Sequence, residues 1–456
     1  MSVRPTTSSV SADVKAAART HVRYYVLALI LLATAINLGD RANLSIAGDA
    51  LAQELGLDAV TMGYLFSAFA WAYVIGQLPG GWVLDRFDSV KVYGAALFLW
   101  SFFTFLQGTI SWLPSGMVVV SLFTLRFLVG LIEAPIYPAN NYIVSAWFPL
   151  KERGLATAIF SSGQYVAVVL FVPIMGYLSH TYSWHYVFWF MGLVGMLLSL
   201  FWLWQMRSPD HHPRVNDAEL AYLRENGALI DIESAKRKAK PPKLSAIGVL
   251  LKSRMMLGIY VGQYCITSLQ YFFITWFPIY LVKGRGMNIM EVGFVATLPA
   301  ICGFVGSILC SVLSDALFRR YGSITIARKT PFIIGMTLAC GLVLCNFTES
   351  VYVVVALMSL ALFGKGLAQI GLAVVVDTAP PAIVGMATGV FGIAGNVAGI
   401  VTPIVIGYTV AATGSFTLAM YFVGAHALLA VFSYLLLVGR LQRLEIPEPN
   451  KDPIGA

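Results

Sequence analysis

The sequence GLATAIFSSGQYVAVVLFVPIMGY, Gly154–Tyr177, recurs in altered form as GMATGVFGIAGNVAGIVTPIVIGY, Gly385–Tyr408. The two stretches align without gaps, and the matching residues include Gly, Ala, Thr and Phe near the start and a Gly-Tyr pair at the end. A second pair of stretches, residues 63–85 and 293–315, repeats the spacing from a glycine to an aspartate. Both offsets are close to half the chain length. The chain is therefore predicted to contain two repeated halves in parallel orientation.

The composition indicates a membrane protein. Of the 456 residues, 58% are hydrophobic and only 11% are charged, whereas soluble domains carry about 25% charged residues. Apolar stretches that can cross a hydrocarbon core of about 30 Å predict an all-α integral membrane fold of twelve transmembrane helices, six in each half. The basic residues behind the net charge of +8 lie mainly in loops and tails. This charge therefore does not indicate nucleic-acid binding, and the expected partner is the lipid bilayer.

The predicted domains follow from the apolar stretches and the polar segments between them. They are a cytoplasmic N-terminal tail (1–22), a six-helix bundle (23–206), a central loop (207–252), a second six-helix bundle (253–440) and a C-terminal tail (441–456). Lysine and arginine are concentrated in both tails, in the central loop and in alternate short loops, which predicts that these segments are cytoplasmic. Inside the central loop, the sequence Asn216-Asp217-Ala218-Glu219 is typical of the start of a capped helix.

The predicted fourth span, residues 117–142, carries Arg126 and Glu133 inside its apolar run. A charge at bilayer depth costs at least about 2.5–3.5 kcal/mol on insertion scales. Arg126 and Glu133 are separated by nearly two helical turns, so both lie on one face, and Tyr137 is close to the same line one turn further. Arginine offers a carboxylate a planar fork, which favours an anion site. Each of the two is expected to have a separate partner, and a structural buried ion pair is the alternative.

The predicted first span, residues 24–46, contains Asp40 beside Arg41. Burial favours the neutral form of an acid, whereas a nearby arginine favours its charged form. An acid balanced in this way can load and release a proton near neutral pH. Protonation of Asp40 or Glu133 would lower the local negative charge and so favour binding of a substrate anion. The alternative is an ordinary ion pair near the outer end of the helix, exposed to water.

Other polar residues in apolar spans either complete such a site or form hydrogen bonds between helices. They are Tyr73, Gln77, Gln164, Gln263, Gln270, Tyr271, Gln369 and Asn396. Gln164 and Asn396 occupy adjacent positions of the repeat alignment, so they are expected to face the cavity from opposite halves. Lys365, which stands between two glycines, is a cation for the substrate, a structural charge or a snorkelling side chain.

The pair Asp85-Arg86 closes the predicted second span on the cytoplasmic side. It either latches one conformation and releases it in another, as a gate, or is an ordinary solvated helix end. The sequence shows no nucleotide-binding loop, GxSxG elbow or zinc pattern, and no added soluble domain. These observations disfavour an integral-membrane enzyme or a sensor, and neither a metal nor a cofactor is expected.

With these residues, the chain resembles the major facilitator superfamily, and within it the anion:cation symporter family with its bacterial glucarate/galactarate and galactonate proton symporters. The resemblance covers residues 22–445 and is carried by motifs such as INLGDRANLSIAG, GGWVLDRF, RFLVGLIEAPIYPAN, AWFPLKERG, FGKG and GNVAGIVTPIVIGY. It implies that Asp40 and Glu133 couple transport to protons. The candidate substrate-binding residues are Arg41, Tyr73, Arg126, Gln164, Gln263, Tyr271 and Asn396.

Several positions depart from the family pattern. Leu38 stands where Tyr is usual, Leu372 where Trp is common and Gly392 where Asn is common, and Tyr271 replaces the Trp of a Trp-Phe-Phe sequence. The charged positions are kept, whereas positions suited to reading hydroxyl groups and rings are changed. The resemblance therefore implies proton-coupled import of an organic anion by a transporter of the bacterial inner membrane, active as a monomer and with protons as the coupling ion. The leading substrate is a sugar acid such as glucarate, galactarate, galactonate or a hexuronate. An aromatic or dicarboxylic acid, and uncoupled uniport or export, stay open.

Overall fold

The computed structural model describes residues 19–230, 246–380 and 383–444. Long apolar α-helices dominate these residues, in agreement with the predicted all-α fold. The helices are α1 Val22–Leu55, α2 Ala59–Arg86, α3 Ser89–Gln107, α4 Ser115–Glu133, α5 Ile136–Trp147, α6 Arg153–Ser161, α7 Gly163–Thr181, α8 Trp184–Gln205, α9 Asp217–Glu225, α10 Ala246–Lys252, α11 Arg254–Thr275, α12 Ile289–Val295, α13 Thr297–Tyr321, α14 Ile324–Ala339, α15 Val351–Leu367, α16 Gly371–Thr378, α17 Val384–Thr413 and α18 Thr417–Phe432.

Among the described residues, eleven spans are long and apolar enough to cross a membrane. A twelfth results when α11 and the helical segment Phe277–Gly284 are counted as one span, and these two parts are bent by 52°. Pro278 lies just after the break, where its missing N–H leaves a carbonyl of the preceding turn without its usual helical partner. The prediction of an all-helical, multi-pass membrane fold with about twelve spans is confirmed.

The chain forms two compact units. One contains residues 19–43 and 71–230, and the other contains residues 44–70 together with the described residues from 246 to 444. The second part of α1 and the first part of α2 therefore group with the second unit, although the sequence assigns them to the N-terminal bundle. The boundary between the units thus crosses α1 and α2.

In the first unit, small residues let α3 and α8 approach closely. A methyl group at Gly192 or Gly195 would overlap atoms of α3, and the Ser199 hydroxyl donates to the carbonyl oxygen of Gly94 at 2.7 Å. Tyr93 and Trp202 stack with ring centroids 4.3 Å apart. Close backbone approach at small residues is the usual packing mode of membrane helices, because lipid supplies no hydrophobic drive for association.

In the second unit, the residues from α1 and α2 pack on α11 and α17. The Ser45 hydroxyl donates to the carbonyl oxygen of Thr275 at 2.6 Å, and the indole N–H of Trp276 donates to the carbonyl oxygen of Pro403 at 3.1 Å. A methyl group on Gly63 would lie 2.7 Å from the same Pro403 oxygen. Glycine at this position therefore permits the close approach of α2 to α17.

The central loop contains the helix that its capping signal predicts. Asn216 is the N-cap of α9, and its side chain accepts from the backbone N–H of Glu219 at 2.9 Å. The buried carboxylate of Glu219 also accepts from the backbone N–H of Val22, at 3.0 Å, and forms an ion pair with Arg23 at 3.2 Å. It thereby caps the first turn of α1, where a negative charge is favourable.

A second contact fixes α9 to the loop between α5 and α6. The Tyr222 hydroxyl donates to Oε1 of Glu152 at 2.6 Å, and this hydrogen bond raises the pKa of Tyr222. The other carboxylate oxygen of Glu152 pairs with Arg23 at 3.2 Å. Residues 207–230 of the central loop are therefore a packed part of the first unit.

Candidate functional site

A buried ion pair joins α1 to α4 in the first unit. Nη2 of Arg41 lies 3.1 Å from Oε2 of Glu133, and Nε of Arg41 lies 3.3 Å from the same oxygen. The Glu133 side chain is fully buried, whereas that of Arg41 is 20% exposed. The guanidinium carbon of Arg41 is also 5.2 Å from the ring centroid of Tyr73 on α2. Arg41 is thus held by an acid and an aromatic ring, and part of its side chain stays exposed.

Asp40 has different partners from its neighbour Arg41. The indole N–H of Trp100 on α3 donates to Oδ2 of Asp40 at 3.0 Å, and the Asn43 amide donates to Oδ1 at 3.1 Å. Asp40 is only 2% exposed, so the alternative of a water-exposed pair at the helix end is wrong. Successive helical residues point about 100° apart, and this rotation sends Asp40 to α3 and Arg41 to α4.

Arg126 and Glu133 lie on the buried side of α4, as their spacing predicts. Arg126 is 4% exposed and Glu133 is 1% exposed, and Arg126 interacts electrostatically with both Asp40 and Glu133. The sequence predicts that Glu133 has a partner other than Arg126, and its ion pair with Arg41 agrees with this prediction. Two carboxyl groups and two guanidinium groups are therefore collected inside one unit.

The predicted fourth span contains a short break before Tyr137. The helix α4 ends at Glu133 and α5 begins at Ile136, with Pro135 between them. Tyr137 is 44% exposed, and it interacts electrostatically with Tyr73, whose ring lies beside Arg41. The place of Tyr137 close to the line of Arg126 and Glu133 stays a prediction.

The remaining candidates for substrate binding are distributed over both units. Gln164 of α7 is half-buried. Gln263 donates to the Thr267 hydroxyl at 3.1 Å, and Asn396 donates to the carbonyl oxygen of Gly392 at 2.8 Å, so both amides bond within their own helices. Tyr271 is buried, and it packs against Ala70 and Ile400. The roles assigned to these residues, and the common cavity expected for Gln164 and Asn396, stay predictions.

The predicted gating pair lies at the end of α2. Asp85 and Arg86 are both exposed, and the Arg86 guanidinium lies 5.5 Å from the ring centroid of Trp82. The C-terminal half also contains an ion pair, formed by Arg328 and Asp377, in which Nε of Arg328 lies 2.9 Å from Oδ2 of Asp377. The gating role of Asp85 and Arg86 stays a prediction.

Sequence reasoning missed two partners of the site. Trp100 and Asn43 donate the hydrogen bonds that hold the Asp40 carboxylate. Asn43 could have been found from its position three residues after Asp40, since side chains at this spacing share a helix face. Trp100 lies on another helix, and no local pattern in the sequence indicates it. Within the described ranges, no group of three or more His, Cys, Asp or Glu residues could hold a metal ion.

The chain has about twelve apolar spans, an internal repeat and a buried ion pair between two of its spans. These features are typical of a multi-pass membrane transporter. Residues 30–327 match the family model described as Major Facilitator Superfamily, and the chain belongs to this family. The resemblance noted in the sequence is thereby confirmed.

Curated relatives cover nearly the whole chain. The chain is 52% identical over 436 residues to the probable galactarate/D-glucarate transporter GudP of Bacillus subtilis (strain 168), which covers 95% of this chain and 96% of that protein. It is 38% identical over 423 residues to a D-galactonate transporter of Escherichia coli O6:H1, with 92% and 97% covered. These relatives are named as transporters and not as enzymes.

A solved structure agrees with the fold. A bacterial homologue of the human lysosomal transporter Spinster, in an inward-facing and occupied conformation, superposes with a TM-score of 0.71 at 16% identity. The match covers 92% of this chain and 97% of that one. At this identity, the likeness supports the fold alone.

Proposed function

We propose that this protein imports a sugar acid together with protons, by alternating access, across the bacterial inner membrane. Galactarate and D-glucarate are the leading substrates, because the relatives at 52% identity carry these names, and galactonate is the next. Both termini are proposed to be cytoplasmic, because lysine and arginine are concentrated in the tails and in alternate loops. The protein is proposed to act as a monomer.

The observation that carries this proposal is the buried ion pair of Arg41 and Glu133, 3.1 Å apart. A substrate carboxylate that approaches Arg41 must compete with Glu133 for the guanidinium group. When Glu133 takes up a proton, its attraction for Arg41 falls and Arg41 becomes available to the substrate. Binding of the anion and of the proton then favour each other, as linkage requires. Release of both on the other side restores the ion pair.

Arg126 and Asp40 support the same exchange. Arg126 is proposed to anchor the substrate carboxylate, because its planar fork matches two carboxylate oxygens and its charge does not depend on pH. Asp40 is proposed as the second proton carrier. Its two hydrogen-bond donors, Trp100 and Asn43, stabilise the charged carboxylate inside a buried environment that opposes it. Opposed effects of this kind let an acid change its protonation state during a cycle.

The test uses purified protein in proteoliposomes with radiolabelled galactarate. Wild-type protein should accumulate galactarate when the medium is more acidic than the lumen, and a protonophore should abolish the accumulation. Glu133→Gln should lose accumulation but keep exchange of galactarate between the two sides, because a neutral amide mimics the protonated acid permanently. Glu349→Gln, which changes an exposed glutamate, is the matched control and should accumulate normally.

Three outcomes would contradict the proposal in different ways. Normal gradient-driven accumulation by Glu133→Gln would remove the coupling role of this residue. Wild-type uptake that is indifferent to the protonophore would instead favour an uncoupled uniporter. A lack of uptake of galactarate, glucarate and galactonate by the wild type would reject the substrate class.

A further inference from the structure

A buried amide oxygen beside Asp40 is unpaired in the part of the chain that the structure describes. Asn43 is fully buried, and its Nδ2 atom donates to Oδ1 of Asp40 at 3.1 Å. The other end of the same amide, Oδ1 of Asn43, has no hydrogen-bond partner among the described residues. A buried polar atom without a partner is unfavourable and uncommon in native structures. This oxygen is available to accept a hydrogen bond in another state of the protein.

The two hydrogen-bond partners of Asp40 differ in the bonds that they can form. The indole N–H of Trp100, which donates to Oδ2 of Asp40 at 3.0 Å, is a donor only. The side chain of Asn43 has donors on Nδ2 and an acceptor on Oδ1. A half-turn about its Cβ–Cγ bond exchanges the places of these two atoms, and the preferences of this torsion are broad and roughly two-fold. Asn43 can thus present either atom to Oδ1 of Asp40.

Each protonation state of Asp40 needs a different partner at its Oδ1 atom. A charged carboxylate only accepts hydrogen bonds, whereas a protonated carboxyl group also has one O–H to donate. We propose that Asp40 takes up its proton on Oδ1, and that the amide of Asn43 then turns so that its own Oδ1 accepts from the new O–H. Trp100 keeps its bond to Oδ2 of Asp40 in both states. The inference rests on the proposed function, in which Asp40 is the second proton carrier.

The turn of the amide keeps the number of hydrogen bonds at Asp40 constant. The charged carboxylate accepts from Trp100 and from Asn43, and the neutral carboxyl group accepts from Trp100 and donates to Asn43. One atom of the amide is unpaired in each state, Oδ1 before the turn and Nδ2 after it, so the cost of this unpaired atom is similar in both. The proton can therefore bind and leave while both carboxyl oxygens of Asp40 keep a partner.

The charged groups near Asp40 lie on α1 and α4. Arg126 and Glu133 of α4 interact with Asp40 electrostatically, whereas Arg41, its neighbour on α1, forms an ion pair with Glu133. The two hydrogen-bond donors of Asp40 are neutral. Replacing either donor leaves the three charges in place, so a change in the proton affinity of Asp40 can be assigned to the lost hydrogen bond.

The experiment follows the proton by infrared difference spectroscopy of the purified protein in lipid, between acidic and alkaline pH. A protonated carboxyl group gives a C=O stretching band, and the band that disappears in Asp40→Asn belongs to Asp40. Asn43→Leu keeps the size of the side chain and removes the amide. It should shift the Asp40 band to higher frequency, because the O–H loses its acceptor. Trp112→Phe, which changes an indole that is 72% exposed, is the control and should leave the band in place.

The pH dependence of the same band gives a second measurement. Trp100→Phe removes a donor that bonds the carboxylate more strongly than the neutral group. The proton affinity of Asp40 should therefore rise by about tenfold, or about one pH unit. Asn43→Leu removes one hydrogen bond from each state, so the affinity should change by less than about threefold. If the amide were a donor only, Asn43→Leu would raise the affinity about as much as Trp100→Phe.

Each result decides a separate claim. A higher band frequency in Asn43→Leu with a small change in affinity would support the inference. An unshifted band, or a rise in affinity equal to that of Trp100→Phe, would overturn the turning amide and leave the proposed function intact. If Asp40→Asn removes no band, Asp40 is not a proton carrier and this inference falls, whereas galactarate accumulation by the wild type tests the proposed function separately. If Asn43→Leu does not fold, Asn43→Ala removes the same amide and takes its place.

Discussion

Neighbours in the sequence are not partners in this site. Asp40 and Arg41 are adjacent, yet Asp40 accepts from Trp100 and Arg41 pairs with Glu133, which lies on another span. The presence of buried charges was predictable from the sequence, because any charge inside an apolar run is costly and conspicuous. Their partners were not, since helical rotation directs adjacent side chains to different helices. The pairing therefore depends on tertiary structure.

The ion pair predicts non-additive effects on stability. Arg41→Gln leaves Glu133 buried without its partner, and Glu133→Gln leaves Arg41 charged beside an amide. Each single change should lower stability, and the double variant should lose less than the sum, with a coupling of about 0.5–3 kcal/mol. The melting temperatures of the wild type, the two single variants and the double variant, in one detergent at one pH, would show whether the two losses are non-additive. Strictly additive shifts would show that the 3.1 Å contact contributes little.

If Arg126 anchors the substrate, replacing it should weaken galactarate binding, and lysine at this position should restore the binding only in part. Arg126→Ala should abolish the galactarate-induced rise in melting temperature. Arg126→Lys keeps the charge but replaces the planar fork by a single ammonium group, so the rise should be reduced rather than lost. An unchanged ligand effect in Arg126→Ala would place the anion anchor on another residue.

At the scale of elements, the fourth span was predictable in extent but not in its internal break. The apolar run from residue 117 to 142 predicts one span, and within it α4 ends at Glu133 and α5 starts at Ile136. The face shared by Arg126 and Glu133 was predictable because both residues precede the break. Pro135, which has no backbone N–H to donate, is the residue of the sequence that indicates the break.

The contact between α2 and α17 predicts a requirement for glycine at position 63. A side chain there would meet the Pro403 carbonyl oxygen, since even a methyl group would lie 2.7 Å from it. If the contact forms and breaks during transport, Gly63→Val should lower the exchange rate by about tenfold or more through overpacking. Gly389→Val, on the same α17 but with no atom within 4 Å of an added methyl group, is the matched control. Equal rates in both variants would show that the cycle does not depend on this contact.

At the scale of the whole molecule, the repeat and the compact units divide the chain differently. The repeat places the boundary in the central loop, whereas the compact units place residues 44–70 with the C-terminal residues. The order and the number of the spans were predictable, because each span is an apolar stretch of the sequence. Which spans pack into one compact unit depends on contacts between residues far apart in the chain, such as the hydrogen bond of Ser45 to Thr275. No periodicity in the sequence indicates these contacts.

The proposed topology predicts which loops face the cytoplasm. Helices α1 and α2 are joined by a turn at Gly56, where the backbone adopts φ of 64°, and α5 and α6 are joined by a loop that contains Lys151. With both termini in the cytoplasm, the first loop follows one span and the second follows four. Alkaline phosphatase is active only outside the cytoplasm, so its insertion at Gly56 should give an active enzyme and its insertion at Lys151 an inactive one. Green fluorescent protein fused to the C-terminus should fluoresce. Retained galactarate uptake by each fusion would show that the protein is correctly inserted, and phosphatase activity at Lys151 would reverse the proposed orientation.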